Sequence, residues 1–255
     1  MMVILFILGL FIGSFLGVLV DRIPRKENVI KGHSHCENCK KELSWYDLLP
    51  VFSYVFLKGK CRYCKTKLPL FYPVIEITTG ILLSLVYFFF YTQNAIVLSY
   101  YLIIVSVFIV IFFTDLKYGI IPNKVIFPAI IVSFVFLFFQ RSLLLNHVLS
   151  GLLSFAFFIV ISYSFFMITK RESMGGGDIK LSFFLGLFLG FPNIIVSLYL
   201  AFLTGALVSI ILILWKKKSF QKDTLPFGSF MALGALVSLF LGNLLFLRAL
   251  ILLGL

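Results

Sequence analysis

From Leu181 to Trp215 the chain runs for 35 residues without a single charged side chain. A helix needs about 20 mostly apolar residues to cross the hydrocarbon core of a bilayer, and at 1.5 Å per residue this run would make one helix of about 52 Å. That is too long for one crossing. Gly190-Phe191-Pro192-Asn193 lies inside it and is a strong turn signal. The run therefore divides into a short helix ending near Gly190 and a longer one over Ile194–Trp215. Similar apolar runs cover Val3–Val20, Pro73–Tyr91, Ala95–Phe113, Lys124–Phe139, Leu143–Ile168 and Leu225–Leu255. The expected fold is an all-α polytopic membrane protein of about eight transmembrane helices. The last run reads as one span or, if it breaks at Gly242-Asn243, as a span and a return.

The distribution of charge tests the count. Lys and Arg number 22 against 10 Asp and Glu, a net charge of +12. Such a balance invites a nucleic-acid reading, but the basic residues lie in the loops between apolar runs, which is the positive-inside pattern of a membrane protein. No nucleic-acid partner is expected. The first apolar run has no basic residue before it, whereas Arg22, Arg25 and Lys26 follow it. It therefore reads as a retained helix with an outward N-terminus rather than a secretory signal. With eight crossings, 20 of the 22 basic residues fall on the inner side, and only Arg141 and Arg248 fall outside. Counting Leu181–Trp215 as one crossing would place Lys216-Lys217-Lys218 on the outer face. The division expected is a first helix over residues 1–20, a polar cytoplasmic domain over 21–72 and a seven-helix membrane core over 73–255.

Seven of the ten acidic residues (Asp21, Glu27, Glu37, Glu42, Asp47, Glu172 and Asp223) sit in basic loops, where charge balance explains them. Glu76, Asp115 and Asp178 adjoin or enter apolar runs, and a carboxylate there is costly enough to suggest function. Asp115 closes the third span and Asp178 opens the sixth, so both are expected at the inner face. Either alone reads as an interfacial charge paired with Lys117 or Lys180. Together they match an aspartic protease, in which one ionised Asp takes a proton from water and the other, protonated, donates toward the scissile carbonyl. A close pair of this kind splits its titration, since both cannot ionise cheaply. Gly175, Gly176 and Gly177 immediately precede Asp178, and Gly119-Ile120-Ile121-Pro122-Asn123 follows Asp115. Three glycines would leave an open backbone edge for an extended substrate. Glu76 reads equally as an interfacial carboxylate and as a residue with a substrate or methylation role. His147 is assigned to a short outer loop without a role, and Trp45 and Trp215 to packing or interface anchoring.

All four cysteines of the chain lie in the polar segment, as Cys36-Glu37-Asn38-Cys39 and Cys61-Arg62-Tyr63-Cys64, with 21 residues between the pairs. Two CxxC knuckles at such spacing suit one tetrahedral structural zinc. Disulfides are disfavoured on the cytoplasmic side. His33 and His35 could compete as ligands, but four sulfurs already close the shell.

These motifs, in this order, closely resemble those of the type IV prepilin peptidases, membrane aspartic proteases of the GxGD kind, over nearly the whole chain. Gly13-Ser14-Phe15-Leu16 with Arg22-Ile23-Pro24 resembles the family's N-terminal signature. The CxxC pairs, Leu43-Ser44-Trp45-Tyr46-Asp47 and Tyr72-Pro73-Val74-Ile75-Glu76 resemble its cytoplasmic domain. Asp115 with Ile121-Pro122-Asn123, Met174 to Leu181, and Pro226-Phe227-Gly228 resemble the two catalytic motifs and the late loop motif. Gly17 stands where many members carry Asn, and Ser229 where Pro is common. The resemblance implies an enzyme that cuts the basic leader from prepilins or pseudopilins in the cytoplasmic membrane. It implies that the enzyme then methylates the new N-terminal residue with S-adenosylmethionine. No dinucleotide-type glycine fingerprint is present to show a cofactor pocket independently. Three other readings stand beside it: a peptidase without methylation, a proton-coupled transporter that uses the two Asp as a relay, and a non-enzymatic zinc-ribbon membrane scaffold.

Overall fold

The computed structural model describes residues 1–29, 34–170, 175–215 and 226–252. His33, Glu172, Met174 and the Lys216–Lys218 cluster, singled out above, lie outside the described residues. Apart from a 3₁₀ turn at Trp45–Leu48, the regular structure there is α-helical: α1 (Met2–Arg22), α2 (Phe52–Phe56), α3 (Phe71–Phe90), α4 (Ala95–Tyr118), α5 (Asn123–Phe139), α6 (Arg141–Thr169), α7 (Gly176–Leu189), α8 (Asn193–Leu214) and α9 (Phe227–Leu252). The only pairing of extended backbone among these residues is two isolated bridges. Each expected apolar run forms a helix. Six of these helices are long and apolar enough to cross a membrane; α5 is apolar but shorter, at 17 residues, and α7 has 14. The last run continues through Gly242-Asn243 as one helix of 26 residues.

The chain divides into two compact units, residues 1–110 and 111–255, with α4 crossing the boundary. In the first, α1 and α3 pack antiparallel along their whole length, from Ser84 Oγ donating to Met2 O at 3.4 Å to Tyr72 Oη donating to Asp21 Oδ2 at 2.9 Å. Small residues set the spacing. A Cβ at Gly9 would lie 2.7 Å from the Gly80 Cα, and one at Gly13 would lie 2.7 Å from the Glu76 Cα. Lipid tails are as apolar as Leu, so helices in a bilayer associate through this kind of close backbone contact rather than by escaping the solvent.

In the second unit α7 is the central helix. Its residues Leu181, Ser182 and Phe184 to Leu189 are buried, and it touches α5, α6, α8 and α9. A helix apolar all round has no face for solvent and belongs in the middle of a bundle. Its neighbours supply polar pins, with Ser154 Oγ donating to Ser182 O at 2.7 Å and His147 Nδ1 donating to Leu187 O at 2.9 Å. Asn146 grips the turn after α7, its Oδ1 accepting from Phe191 N at 2.8 Å while its Nδ2 donates to Phe191 O at 3.2 Å. The sequence reading of His147 as a loop residue without a role is therefore corrected. It lies in the second turn of α6, which begins at Arg141, and it binds a carbonyl near the end of α7. By contrast, α6 exposes Leu145, Leu153, Val160 and Ile168, which suits a surrounding of hydrocarbon.

The glycine contact between α1 and α3 is directly testable. Gly9→Leu should force the two helices apart at a cost of about 1–3 kcal/mol and lower the thermal midpoint of the purified protein by about 2–12 °C. An unchanged midpoint would mean that the helices do not meet at Gly9 and Gly80.

Candidate functional site

Asp115 lies in the last turn of α4 and is 4% exposed. The helix stops three residues later, where Gly119 adopts φ +66° and its N–H closes on Asp115 O at 2.8 Å. That left-handed cap is the usual helix stop at glycine, and it turns the chain into Ile120-Ile121-Pro122 and the start of α5. The Asp115 carboxylate accepts the backbone N–H of Ser229 at 2.6 Å, in the first turn of α9. First-turn N–H groups have no partner within their own helix, and the helix dipole there favours a carboxylate. A proline at 229 would lack this donor, so the residue type at that position bears directly on how Asp115 is held.

Asp178 lies in the first turn of α7, two residues after Gly176, where the helix begins. Its N–H donates to Gly175 O at 3.0 Å. Its Oδ2 would lie 3.6 Å from a Cβ at Gly175. Asp115 and Asp178 are close enough to interact electrostatically. The side chain of Ile121 connects their surroundings. A Cβ at Gly177 would lie 3.2 Å from Ile121 Cβ. One at Gly228 would lie 2.7 Å from Ile121 Cδ1 and 3.1 Å from Asp115 Oδ2. Ile121 therefore wedges between the start of α7 and the start of α9, the two turns that frame the carboxylates. Lys180 does not pair with Asp178 among the contacts described; its Nζ donates to Asn123 Oδ1 at 3.2 Å. The three glycines differ. Gly175 is extended, with φ −66° and ψ 139°, while Gly176 and Gly177 are already helical. Among the described residues a Cβ at Gly176 would meet nothing within 4 Å, and Gly176 is exposed.

In the first unit the four cysteines converge, their sulfurs all within 4.8 Å of one another and none in a disulfide. The two knuckles repeat one pattern. Cys36 N donates to Lys41 O and Lys40 N to Cys36 O; Cys61 N donates to Thr66 O and Lys65 N to Cys61 O, all at 2.8–3.0 Å. The residue after the second cysteine of each pair, Lys40 or Lys65, has positive φ, at 56° and 61°. An antiparallel bridge closes each knuckle, His35 with Glu42 and Lys60 with Lys67. Asn38 Nδ2 ties one knuckle to the other through Thr66 Oγ1 at 2.7 Å. Cys36 Sγ and Cys64 Sγ are 3.8 Å apart, and sulfurs bound at about 2.3 Å to a tetrahedral zinc would be spaced about 3.8 Å. The Thr66 hydroxyl and N–H pull the Cys64 thiol down to about 5. Although the Lys41 N–H works the other way, burial and the adjacent Cys64 and Cys36 push Cys39 up to about 11. Crowded thiolates repel one another, and a bound cation is what removes that repulsion. The cluster fits a metal by donor type, number and spacing.

Glu76 is buried in the second turn of α3, and its Oε2 accepts the Val51 N–H at 2.7 Å. Val51 has φ 62° and ψ −49°, a rare conformation for a β-branched residue. The carboxylate thus pins the turn that enters α2. The pattern Leu49-Pro50-Val51 gave no hint of this, because nothing in a sequence says which N–H an intramembrane carboxylate will find.

Two family models match the chain: the bacterial peptidase A24 N-terminal domain over residues 7–90 and the type IV leader peptidase family over residues 102–210. Between them they contain the cysteines, Glu76, Asp115 and Asp178. Among curated proteins, the chain is 30% identical to the prepilin leader peptidase/N-methyltransferase of Bacillus subtilis over 248 residues, 95% of each protein. It is 32% identical to the Vibrio cholerae protein of the same name, covering 72% of this chain and 76% of that one. It is 30% identical to the Myxococcus xanthus one, covering 83% of this chain and 63% of the relative. No solved structure matches the chain significantly. With its aspartates at two helix ends and its paired cysteine knuckles covered by these matches, the chain belongs to the type IV leader peptidase family.

Proposed function

We propose that this chain cleaves the leader from type IV prepilins or pseudopilins, with Asp115 and Asp178 as the catalytic pair, and then N-methylates the new N-terminus. What supports the first half is that the turns carrying Asp115 and Asp178 both close on Ile121, beside the exposed backbone of Gly176. One carboxylate takes a proton from an attacking water; the other donates to the carbonyl oxygen; no covalent intermediate forms. The first-turn N–H groups of Gly176 and Gly177 are donors that α7 itself cannot use, and a substrate backbone lying along Gly175–Gly177 would supply acceptors. Ser229 holds Asp115 in place, and Ile121 keeps the two turns in register. A relay in a transporter would place its carboxylates within the spans, whereas these stand at helix termini.

For the methylating half, the names of the relatives support S-adenosylmethionine as the methyl donor, and Cys36, Cys39, Cys61 and Cys64 would hold a structural zinc. Zinc supplies folding energy to a segment with little core of its own. Glu76 is assigned to organising the turn at Val51 or to the substrate amine. The proposed setting is the cytoplasmic membrane, crossed eight times, with the N-terminus outside and both the aspartates and the zinc domain on the cytoplasmic side. In these terms residues 21–72 form the zinc domain and 73–255 the peptidase core.

Asp115→Asn and Asp178→Asn should each lower leader cleavage by about 10³-fold or more, with helical content and metal content unchanged; retained processing by both would sink the assignment. Gly228→Ala should press a methyl group between Ile121 and the Asp115 carboxylate and cut cleavage by about 10-fold or more, measured on a prepilin in proteoliposomes. Cleavage at the parental rate would mean that the start of α9 does not position Asp115. Replacing Cys36 and Cys39 with Ser should abolish stoichiometric zinc and reduce methyl transfer from labelled S-adenosylmethionine more than it reduces cleavage. Equal loss of both activities would contradict that division of labour.

A further inference from the structure

Between the end of α1 and the start of α3 the chain leaves and re-enters the same face of the antiparallel helix pair, since Asp21 is bonded to Tyr72. The segment between them carries the cysteine knuckles, and it also carries an exposed apolar surface that the four cysteines do not form. Within α2, Tyr54 points inward, donating its hydroxyl to Leu68 O at 3.2 Å. Phe52, Val55 and Phe56 point outward, and Phe56 is 82% exposed. Trp45, 75% exposed, and Leu70, 69% exposed, belong to the same segment. Lys58, Lys60, Lys65 and Lys67 follow α2 and are all exposed.

The depth of this surface is set by one bond. Val51, the residue that enters α2, is tied to Glu76 at 2.7 Å, and Glu76 is the sixth residue of α3. At 1.5 Å per residue Glu76 lies about 7–8 Å along the axis from Phe71, and side chains of a helix tilt back toward its N-terminus. The start of α2 is therefore level with the first turn of α3, where a spanning helix passes from headgroups into hydrocarbon. Aromatic side chains at that level, flanked by lysines, are what a bilayer interface selects: the rings sit at the acyl boundary and the ammonium groups reach outward to phosphate.

We propose that Trp45 and the outward face of α2 are embedded in the headgroup–acyl boundary of the bilayer, with Lys58, Lys60, Lys65 and Lys67 engaging anionic lipid headgroups. The metal-binding segment is then held flat on the membrane rather than projecting from it. The inference rests on α1 and α3 spanning the bilayer but not on the peptidase assignment. The chain has two tryptophans, so Trp215→Phe leaves Trp45 as the reporter in the full-length protein. This variant would be placed in nanodiscs of phosphatidylcholine with phosphatidylglycerol, with lipids brominated either near the carbonyl end or near the methyl end of the acyl chain. Shallow bromines should quench Trp45 by about half and deep ones much less, and soluble acrylamide should quench it weakly. Phe56→Asp, with the bound metal measured alongside to verify the knuckles, should reduce the shallow quenching at least about twofold. Omitting phosphatidylglycerol should also weaken it. Overturning results would be strong acrylamide quenching with no bromolipid quenching in the parental protein, which leaves this face open for a protein partner, or quenching indifferent to lipid charge. Leader cleavage, assayed in the same discs, reports separately on the peptidase reading.

Discussion

A carboxylate buried where helix ends meet is cut off from most of the solvent and needs donors supplied by the protein itself. The second unit solves this for Asp115 with the unused first-turn N–H of α9, and in doing so fixes where α9 begins relative to the end of α4. Ile121 then fills the gap left by Gly177 and Gly228, and this brings the start of α7 to the same place. Side chains larger than hydrogen at these two positions would hold the turns apart. The glycines near the aspartates are thus explained by steric contact at Gly177 and Gly228 and by an exposed backbone at Gly176, two different reasons within a few residues.

The rest of that unit keeps α7 still. A short helix buried on all sides offers no polar face for anchoring, so its ends and its one inward serine take that function. Ser154, His147 and Asn146 each hold a backbone atom of α7 or of the turn that follows it. An aspartic dyad depends on its carboxylates staying within reach of one water and one carbonyl, and small displacements are costly. Pins at the far end of α7 serve the near end because a helix transmits position along its axis.

The first unit follows a different logic. Its helices meet through glycines, and its polar segment is built from two copies of the same knuckle, each closed by the same bonds. The repeat brings four thiols together at a spacing that suits one bound cation. Glu76 then ties this metal-binding segment to α3 through a strained turn at Val51, and that strain persists because a buried carboxylate is fixed to it. The proposed interfacial seating of α2 follows from the same bond.

The apolar runs, the break at Gly190–Asn193, the cysteine spacing and the placement of two carboxylates at run ends were all legible in the chain. Each reflects a local rule: length against bilayer thickness, turn chemistry, ligand spacing, or the cost of a charge in hydrocarbon. The sequence by itself thus determined a helical membrane protein with a metal knuckle pair and a candidate Asp dyad. The partners of those groups were not legible. That Ser229 donates to Asp115, that Ile121 joins two glycine turns, that Glu76 holds Val51 and that His147 serves α7 were decided by tertiary structure alone. The physical reason is that each of these contacts joins residues from different helices or from a helix and a distant turn, and helix packing rather than local propensity sets which donor lies within 3 Å of which acceptor.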